Sequence, residues 1–317
     1  MSKIDKLKVC FIGVGSIASR HIKNLREICN DEGIELSVHA LRREKKDDYA
    51  GNLIDETYTD LESLSCDYDI IFITNPTQFH LKALRDIHNN GKNFFIEKPY
   101  VIPEMVNEAR AFDYDSNKKY YVACPLRYKK IIQEAKRVAD ENNIIAVQAI
   151  CSSYLPEWRP GVDYRTCYSA NKALGGGVSI DLIHEWDYLQ YIFGIPNEVI
   201  SVKKKLSNLE IDTDDYASYI GNYDDKAIEL HLDYFGREAI RKMTYYTTND
   251  TIEFDLILNK IKYLKSKKTI SYVEERDDFQ KAEIRHFLKI IAGETDNTNM
   301  PEMACNTIEL TQGVIRR

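Results

Sequence analysis

The residues best suited to chemistry begin with a glycine motif at the end of an apolar, strand-like segment. Gly13, Gly15 and the small Ala18 follow that segment in the order GxGxxA, and a helical pattern begins there. Glycines let the backbone turn sharply and approach a phosphate, and the helix N-terminus supplies free N–H groups and a positive dipole end. Gly13, Gly15, Ser16 and Ile17 are therefore the predicted pyrophosphate site of a dinucleotide. The alternative is a turn with only a structural role.

The end of the second predicted strand carries the residues that would select the nucleotide. NAD-binding proteins usually have Asp or Glu there, which binds the ribose 2′-hydroxyl. This chain has Arg42 and Arg43, followed by Glu44. An arginine at this place would pair with a 2′-phosphate, so the sequence favours NADP, with NAD as the alternative. Two other interpretations stay open: both arginines are ordinary surface residues, or Arg42 stacks on adenine while Glu44 binds a hydroxyl.

Two later strand ends carry polar residues that would line the same crevice. Asn75, Pro76 and His80 follow one apolar strand, and Glu97 and Lys98 follow the next. The carboxyl ends of parallel strands face the ligand crevice of an open α/β sheet. Lys98 would therefore project toward the reactive end of a bound cofactor, although a lysine at a strand end is more often a surface residue.

A triple glycine at residues 175–177 precedes a predicted helix that carries a histidine between two carboxylates. Asp181, His184 and Asp187 are three residues apart and lie broadly on one side of that helix. A histidine flanked by carboxylates can take up and return a proton. The alternative is a helix-capping carboxylate near a histidine with a structural role.

The irregular segment before the triple glycine is rich in aromatic and arginine residues. Tyr154, Trp158, Arg159 and Arg165 lie in it or at its start. Aromatic faces and bidentate donors suit a polyhydroxylated sugar, including an anionic one. For each residue taken singly, an ordered loop held together by its own aromatic side chains is the alternative.

The elements that would position these residues indicate two domains. Strand and helix patterns alternate over residues 1–123, which predicts a doubly wound parallel sheet of the Rossmann type. Residues 124–317 carry a long strand, one helix from the triple glycine to Phe193, a cluster of alternating strands and two final helices. Strands joined by short turns predict a largely antiparallel open sheet in an α+β domain. The predicted fold class is therefore α/β with this second domain appended.

Composition excludes several classes of protein. A net charge of −7 argues against a nucleic-acid partner. No apolar run reaches the roughly 18 residues of a membrane span. The seven cysteines are scattered, without metal-ligand spacing, so no metal site is predicted and the thiols suit a reducing compartment. We therefore expect a cytoplasmic protein that binds a small molecule.

Together these motifs resemble the Gfo/Idh/MocA family, named after glucose–fructose oxidoreductase, inositol 2-dehydrogenase and MocA. The resemblance covers essentially the whole chain. It rests on the GxGxxA turn with His21, Asn75-Pro76 with His80, Gly91-Lys92, Glu97-Lys98-Pro99 and the triple-glycine helix.

The resemblance implies an NAD(P)-dependent oxidoreductase that acts on the CH–OH group of a sugar or sugar-like substrate. It implies an active-site lysine at Lys98 and a catalytic histidine at His184. The family usually has an aspartate four residues before that histidine, whereas this chain has Ile180 there and Asp181 one position later. Asp187 fits the family pattern, so either carboxylate could orient the histidine.

The resemblance also implies that Arg127 and Tyr128 line the substrate pocket, and that the open sheet forms a homodimer or homotetramer. The segment from Tyr154 to Trp158 resembles family members associated with bacterial surface-sugar biosynthesis. Two other functions stay open. One is a non-catalytic NAD(P)-binding sensor, and the other is an isomerase or lyase of the same fold that retains its cofactor.

Overall fold

In this computed structural model, residues 4–44 and 50–315 are described. The chain divides into two compact units: Met1–Pro125 with Arg276–Cys305, and Leu126–Glu275 with Asn306–Arg317. The sequence predicts a single boundary after residue 123, which assigns the segment 276–305 to the second domain. In the structure this late segment belongs to the first unit, because its helix packs against the first sheet.

Eight α-helices lie within the described residues: α1 Ser16–Glu32, α2 His80–Ile87, α3 Val106–Arg110, α4 Lys130–Glu141, α5 Val178–Asp181, α6 His184–Phe193, α7 Arg276–Ile291 and α8 Pro301–Thr311. The first sheet contains β1 Lys6–Ile12, β2 Glu35–Leu41, β3 Glu56–Tyr58, β4 Ile70–Ile73, β5 Asn93–Ile96 and β6 Lys119–Val122. The second contains β7 Ile144–Tyr154, β8 Glu198–Lys204, β9 Tyr216–Asn222, β10 Ala227–Asp233, β11 Phe235–Thr247, β12 Thr251–Asp255, β13 Lys260–Tyr263 and β14 Thr269–Ser271. In this described part of the chain, no helix is long and apolar enough to cross a membrane.

The sheet of the first unit is parallel throughout and has the strand order β3-β2-β1-β4-β5-β6. This is the order of the Rossmann fold, so the predicted doubly wound sheet is confirmed. The edge strand β3 was not predicted, because its three residues, Glu-Thr-Tyr, carry no apolar run. The reversal of strand order between β1 and β4 opens a crevice at their carboxyl ends, where such sheets bind ligands.

Helices α1 and α7 cover the same face of this sheet. Ile22 and Leu25 of α1 and Ile284 and Phe287 of α7 are buried in one core, and the Phe287 ring lies 5.5 Å from that of Phe95 in β5.

Ion pairs join the two helices along their length: Arg20 to Asp277, Glu27 to Lys281 and Glu32 to Arg285. Residue numbers rise together along these pairs. The helices therefore run parallel, and both N-termini lie at the same end.

The sheet of the second unit has the order β14-β13-β12-β11-β7-β10-β9-β8. Every neighbouring pair is antiparallel except β7 and β10, which confirms the predicted, largely antiparallel sheet. The strand β13 was not predicted. The strand β11 shifts its register against β7 between Phe235 and Ile240, as a β-bulge does.

The single helix predicted from the triple glycine to Phe193 is two helices in the structure. The first, α5, ends at Asp181, and Leu182 has φ −90° and ψ 27°, outside helical geometry. The second, α6, then begins at His184. Asp181 and His184 therefore lie on different helices, and their spacing of three residues does not place them on one helical face.

Candidate functional site

The glycine turn after β1 joins the carboxyl ends of three strands. Gly13 has φ +82°, and a Cβ atom there would lie 2.9 Å from the Cα atom of Asn75, so only glycine fits. Its N–H donates to the carbonyl of Leu41 at 3.0 Å, and its carbonyl accepts from the Thr74 hydroxyl at 2.6 Å. The turn is thus held by the residues that end β2 and follow β4.

The next part of the turn leaves room and donors for a phosphate. Gly15 caps α1, and a Cβ atom added to it would meet nothing within 4 Å. No side chain caps the helix, so the first-turn N–H groups, which begin at the exposed Ser16 and half-buried Ile17, are available to a ligand. The residues present therefore fit the pyrophosphate of a dinucleotide.

The two arginines after β2 have different environments. Arg42 is only 9 % exposed and its N–H donates to the carbonyl of Tyr58 at 3.0 Å, whereas Arg43 is exposed. Arg42 is therefore not an ordinary surface residue, which removes that interpretation for one of the two. The residues that follow Glu44, 45–49, are outside the described part of the chain.

Glu97 at the end of β5 is fixed by both of its oxygens. Oε1 lies 2.5 Å from Nε2 of His21, and Oε2 accepts from the Lys98 N–H at 3.2 Å. Burial favours a raised pKa for Glu97, but the hydrogen bond and charge of His21 and the charge of Lys98 together hold that pKa below its usual range. This role of His21 was not predicted. A histidine one turn into a dinucleotide-binding helix was the available signal.

Lys98 follows directly and is half-buried. Among the residues that the structure describes, its ammonium has no hydrogen-bonding partner or ion pair, and the carboxylate of Glu97 acts on it electrostatically. The Lys98–Pro99 peptide is cis. An ammonium without a protein partner, beside a fixed carboxylate at the carboxyl edge of the sheet, is available to a ligand oxygen.

His80 is buried and holds two backbone segments. Its Nδ1 lies 3.1 Å from the carbonyl oxygen of Tyr100, and its Nε2 lies 2.7 Å from that of Asn75. Burial lowers the pKa of His80. Any effect of His80 on cofactor binding would therefore be indirect, through the position of Asn75. Pro76, which follows Asn75, is exposed.

In the second unit, Asp181 is buried and accepts hydrogen bonds from three hydroxyl groups. The donors are Tyr168, Ser169 at 2.6 Å and Tyr234 at 2.9 Å. Burial, together with the negative charge of Asp181, raises the pKa values of Tyr168 and Tyr234 well above the usual range, so both remain donors. These donors were missed because they are distant in sequence. His184, at the start of α6, is half-buried.

Asp187 forms a buried ion pair with Arg127. The guanidinium donates from Nε to Oδ2 at 3.0 Å and from Nη2 to Oδ1 at 2.6 Å, and both side chains are at most 5 % exposed. The pair ties α6 to the turn that precedes α4. The family resemblance implies that Arg127 lines the substrate pocket, but in this structure its guanidinium is occupied by Asp187. Tyr128 beside it is half-buried.

A second buried ion pair was not predicted. Glu185 is fully buried and accepts from Arg241 of β11, with Nε 2.8 Å from Oε1, and from the Tyr188 hydroxyl. The available signal was that Glu185 lies next to the apolar Trp186 in a helix of which most residues are buried. This pair anchors α6 to the second sheet, so two ion pairs hold the helix that carries His184.

The structure brings together some of the predicted substrate residues. Trp158 lies edge-on to Tyr234, with ring centroids 5.2 Å apart, and its Nε1 donates to Ser153 at 2.9 Å. Arg159 is exposed and experiences the charge of Asp181. Trp158 and Arg159, which belong to the irregular segment, therefore lie beside the Asp181 cluster.

The remaining two predicted substrate residues have other partners. The guanidinium of Arg237 lies 3.9 Å from the ring centroid of Tyr154. Arg165 is bound to Asp163 and to Glu210 at 3.2 Å. In the described ranges, no group of three His, Cys, Asp or Glu side chains could hold a metal ion.

Residues 7–122 match the sequence model of an oxidoreductase family with an NAD-binding Rossmann fold, GFO_IDH_MocA. This N-terminal region belongs to the Gfo/Idh/MocA family. The resemblance seen in the glycine turn and in Glu97-Lys98-Pro99 is thereby confirmed for residues 7–122.

Curated relatives match parts of the chain. A glycosyl hydrolase family 109 protein of Shewanella baltica is 31 % identical over 116 residues, which are 32 % of this chain and 24 % of that protein. The uncharacterized oxidoreductase YrbE of Bacillus subtilis is 27 % identical over 199 residues, which are 61 % of this chain and 55 % of that protein. The chain thus spans about a quarter of the former and about half of the latter.

A solved structure of similar fold is levoglucosan dehydrogenase in complex with NADH and levoglucosan. The TM-score is 0.82 at 16 % identity, and 97 % of this chain and 96 % of that chain are covered. At this identity the likeness shows the fold, including that of the second unit.

Proposed function

We propose that this protein transfers a hydride between a nicotinamide cofactor and the hydroxyl or carbonyl carbon of a sugar or sugar-like substrate. The observation that carries the proposal is the ammonium of Lys98, which has no partner within residues 4–44 and 50–315 and lies at the same sheet edge as the glycine turn of Gly13 and Gly15. The levoglucosan complex with NADH, in a protein of the same fold, supports a sugar as the substrate class.

The proposed roles follow from what each group can do. A bound nicotinamide would supply the hydride chemistry. Lys98 would orient the substrate oxygen and stabilise the negative charge that develops on it. His184 would take or return the hydroxyl proton. Asp187 would act through the position of α6 and Asp181 through the hydroxyl cluster around it, so we propose both as positioning residues.

A panel of sugars tests this function directly. Purified protein is mixed with oxidised cofactor and each candidate, and the absorbance of reduced cofactor is followed. The panel includes levoglucosan, free hexoses, uronic acids and nucleotide sugars, because the Tyr154 to Trp158 segment supports a role in bacterial surface-sugar biosynthesis. If no candidate reduces or oxidises the cofactor, in either reaction direction, the result would count against the dehydrogenase.

We also propose a cytoplasmic location, because the seven cysteines are free thiols.

The names of the curated relatives favour a second candidate function. Glycosyl hydrolase family 109 proteins match 32 % of this chain. We therefore also consider an enzyme that retains its cofactor and catalyses a net elimination or isomerisation of a sugar. Product formation seen by nuclear magnetic resonance, without net change in cofactor absorbance, would distinguish this candidate from the dehydrogenase.

The wild-type protein should bind NADPH more tightly than NADH, because Arg42 and Arg43 follow β2 where NAD-binding proteins usually have an acid. Arg42→Ala should weaken NADPH binding roughly tenfold or more, since a charge-assisted contact to phosphate is lost, and should leave NADH binding nearly unchanged. Fluorescence titration measures both dissociation constants.

Arg85→Ala is the matched control for this titration. Arg85 lies in the same unit and pairs with Glu108 on the surface, so its loss should change neither constant. Equal or tighter binding of NADH by the wild-type protein would contradict the preference for NADP.

The protein should be a dimer or tetramer in solution. The edge strand β8 and its neighbour β9 place Ile200 opposite Ile220, and these side chains are 58 % and 46 % exposed, next to the 46 % exposed Val202. Because an apolar patch on a sheet face favours association, we propose that a second copy covers it. Light scattering at micromolar concentration measures the mass.

The variant Ile200→Asp should shift this equilibrium toward the monomer, because association would bury its charge. The control Ile257→Asp changes an isoleucine that is 49 % exposed outside β8 and β9 and should leave the mass unchanged. A monomeric wild-type protein would refute the assembly.

A further inference from the structure

Arg276 is the first residue of the segment that returns to the first unit, and it begins α7. Because α7 runs parallel to α1, the N-terminal ends of both helices lie together. The Arg20–Asp277 ion pair, at 2.8 Å, fixes this end of α7 beside the first turns of α1. Arg276 is therefore held near the helix that begins at the glycine turn, although 260 residues separate it from Ser16.

The acidic neighbours of Arg276 already have other partners. The charges that act on its guanidinium are those of Arg20, Asp277 and Glu97. Asp277 binds Arg20 through Oδ1 and Lys23 through Oδ2, at 2.8 and 3.5 Å. Glu97 is occupied by His21 and the Lys98 amide, as described above.

Arg276 itself makes no hydrogen bond or ion pair with any part of the chain within residues 4–44 and 50–315. Burial and the neighbouring positive charge of Arg20 lower its pKa, although the group remains a cation at neutral pH. Arg285, on the same helix, differs because it is paired with Glu32 at 3.1 Å and with Asp31 at 3.5 Å. Arg276 is exposed and lies beside the like charge of Arg20, so its guanidinium is open to an anion from solvent, which would offset the repulsion between the two cations.

We propose that Arg276 binds the pyrophosphate of the dinucleotide, together with the first-turn N–H groups of α1. This inference rests on the cofactor of the proposed function. A guanidinium offers a planar, bidentate donor pair that matches phosphate oxygens. The phosphate site would then consist of the Gly13–Ser16 turn and one residue from the C-terminal part of the chain, which the glycine motif does not predict.

The test compares Arg276→Gln with Arg285→Gln in the full chain. Isothermal titration calorimetry measures the dissociation constants of NADH, ADP, AMP and adenosine. For Arg276→Gln we expect NADH and ADP to bind roughly ten- to hundredfold more weakly, because a charged contact is lost, and adenosine to bind within about twofold of wild type. Arg285→Gln should bind all four like wild type. Arg276→Lys keeps the positive charge but not the planar pair of N–H donors. Its dissociation constants for NADH and ADP should therefore lie between those of the wild type and of Arg276→Gln.

Each of the following results would contradict the proposed contact between Arg276 and the pyrophosphate. Wild-type affinity of Arg276→Gln for NADH would show that the guanidinium does not contact the pyrophosphate. An equal loss for adenosine, or an equal loss in Arg285→Gln, would show a structural effect instead. If Arg276→Gln does not fold, wild-type affinity of Arg276→Lys for ADP overturns the bidentate contact. Failure of the wild-type protein to bind NADH and NADPH would overturn the proposed function as well, whereas the preceding outcomes leave it standing.

Discussion

Lys98→Met should lower turnover of an identified substrate by roughly 10²–10³-fold, because the positive charge that stabilises the developing oxyanion is lost. The dissociation constant of the cofactor should change little, since the glycine turn at Gly13 and Gly15 is intact. Steady-state kinetics and fluorescence titration measure the two effects separately. Lys82→Met is the matched control, because Lys82 lies in the same unit, pairs with Asp86 at 2.5 Å and is 71 % exposed.

His184→Ala should lower turnover by roughly 10²–10⁴-fold and flatten the pH–rate profile, because the proton acceptor is lost. If Lys98 and His184 act on one substrate, the double variant should lose much less than the product of the single losses. Near wild-type turnover in both single variants would show that the mechanism implied by the family resemblance does not apply to this chain. The non-catalytic sensor would then become the better hypothesis.

Arg127→Met should destabilise the protein by roughly 3–5 kcal/mol, because it leaves the carboxylate of Asp187 buried without its cation. The double variant Arg127→Met with Asp187→Leu should recover most of that loss, since a buried pair can be replaced by apolar side chains. Urea unfolding measures the free energy of unfolding. Arg165→Met, which breaks an exposed pair with Asp163, should cost less than about 1 kcal/mol.

The same variants separate two roles for Arg127. If Arg127→Met instead keeps full stability and raises the KM for the sugar, the guanidinium is a substrate ligand, as the family resemblance implies. If stability falls and the double variant restores it, Arg127 and Asp187 are a structural pair that positions α6.

Local patterns predicted the first sheet apart from its edge strand β3, because the other strands and their turns are specified by neighbouring residues. The GxGxxA turn, the apolar strand β4 and the lysine after β5 could all be located without long-range contacts. The break at Leu182 could not be predicted in this way. The family pattern has one more residue between the aspartate and the histidine, and the geometry that absorbs this difference depends on the surrounding packing.

Long-range pairs explain what the sequence did not reveal about the candidate site. The contact between His21 and Glu97 spans 76 positions, and that between Tyr234 and Asp181 spans 53. Partners so distant are chosen by the fold, and no spacing rule identifies them. The same holds for the segment that begins at Arg276, whose apolar pattern indicates a helix without indicating which sheet it covers.

That returning segment determines when the first unit can be completed during synthesis. Phe287 and Ile284 belong to its core, yet about 150 residues separate Pro125 from Arg276, so a ribosome working at roughly 5–20 residues per second needs about 8–30 s to span them. During that interval the face of the parallel sheet that α7 will cover is exposed to solvent. The first unit therefore reaches its native state only after residues 276–305 have been made, and until then its apolar face is a surface that chaperones can bind.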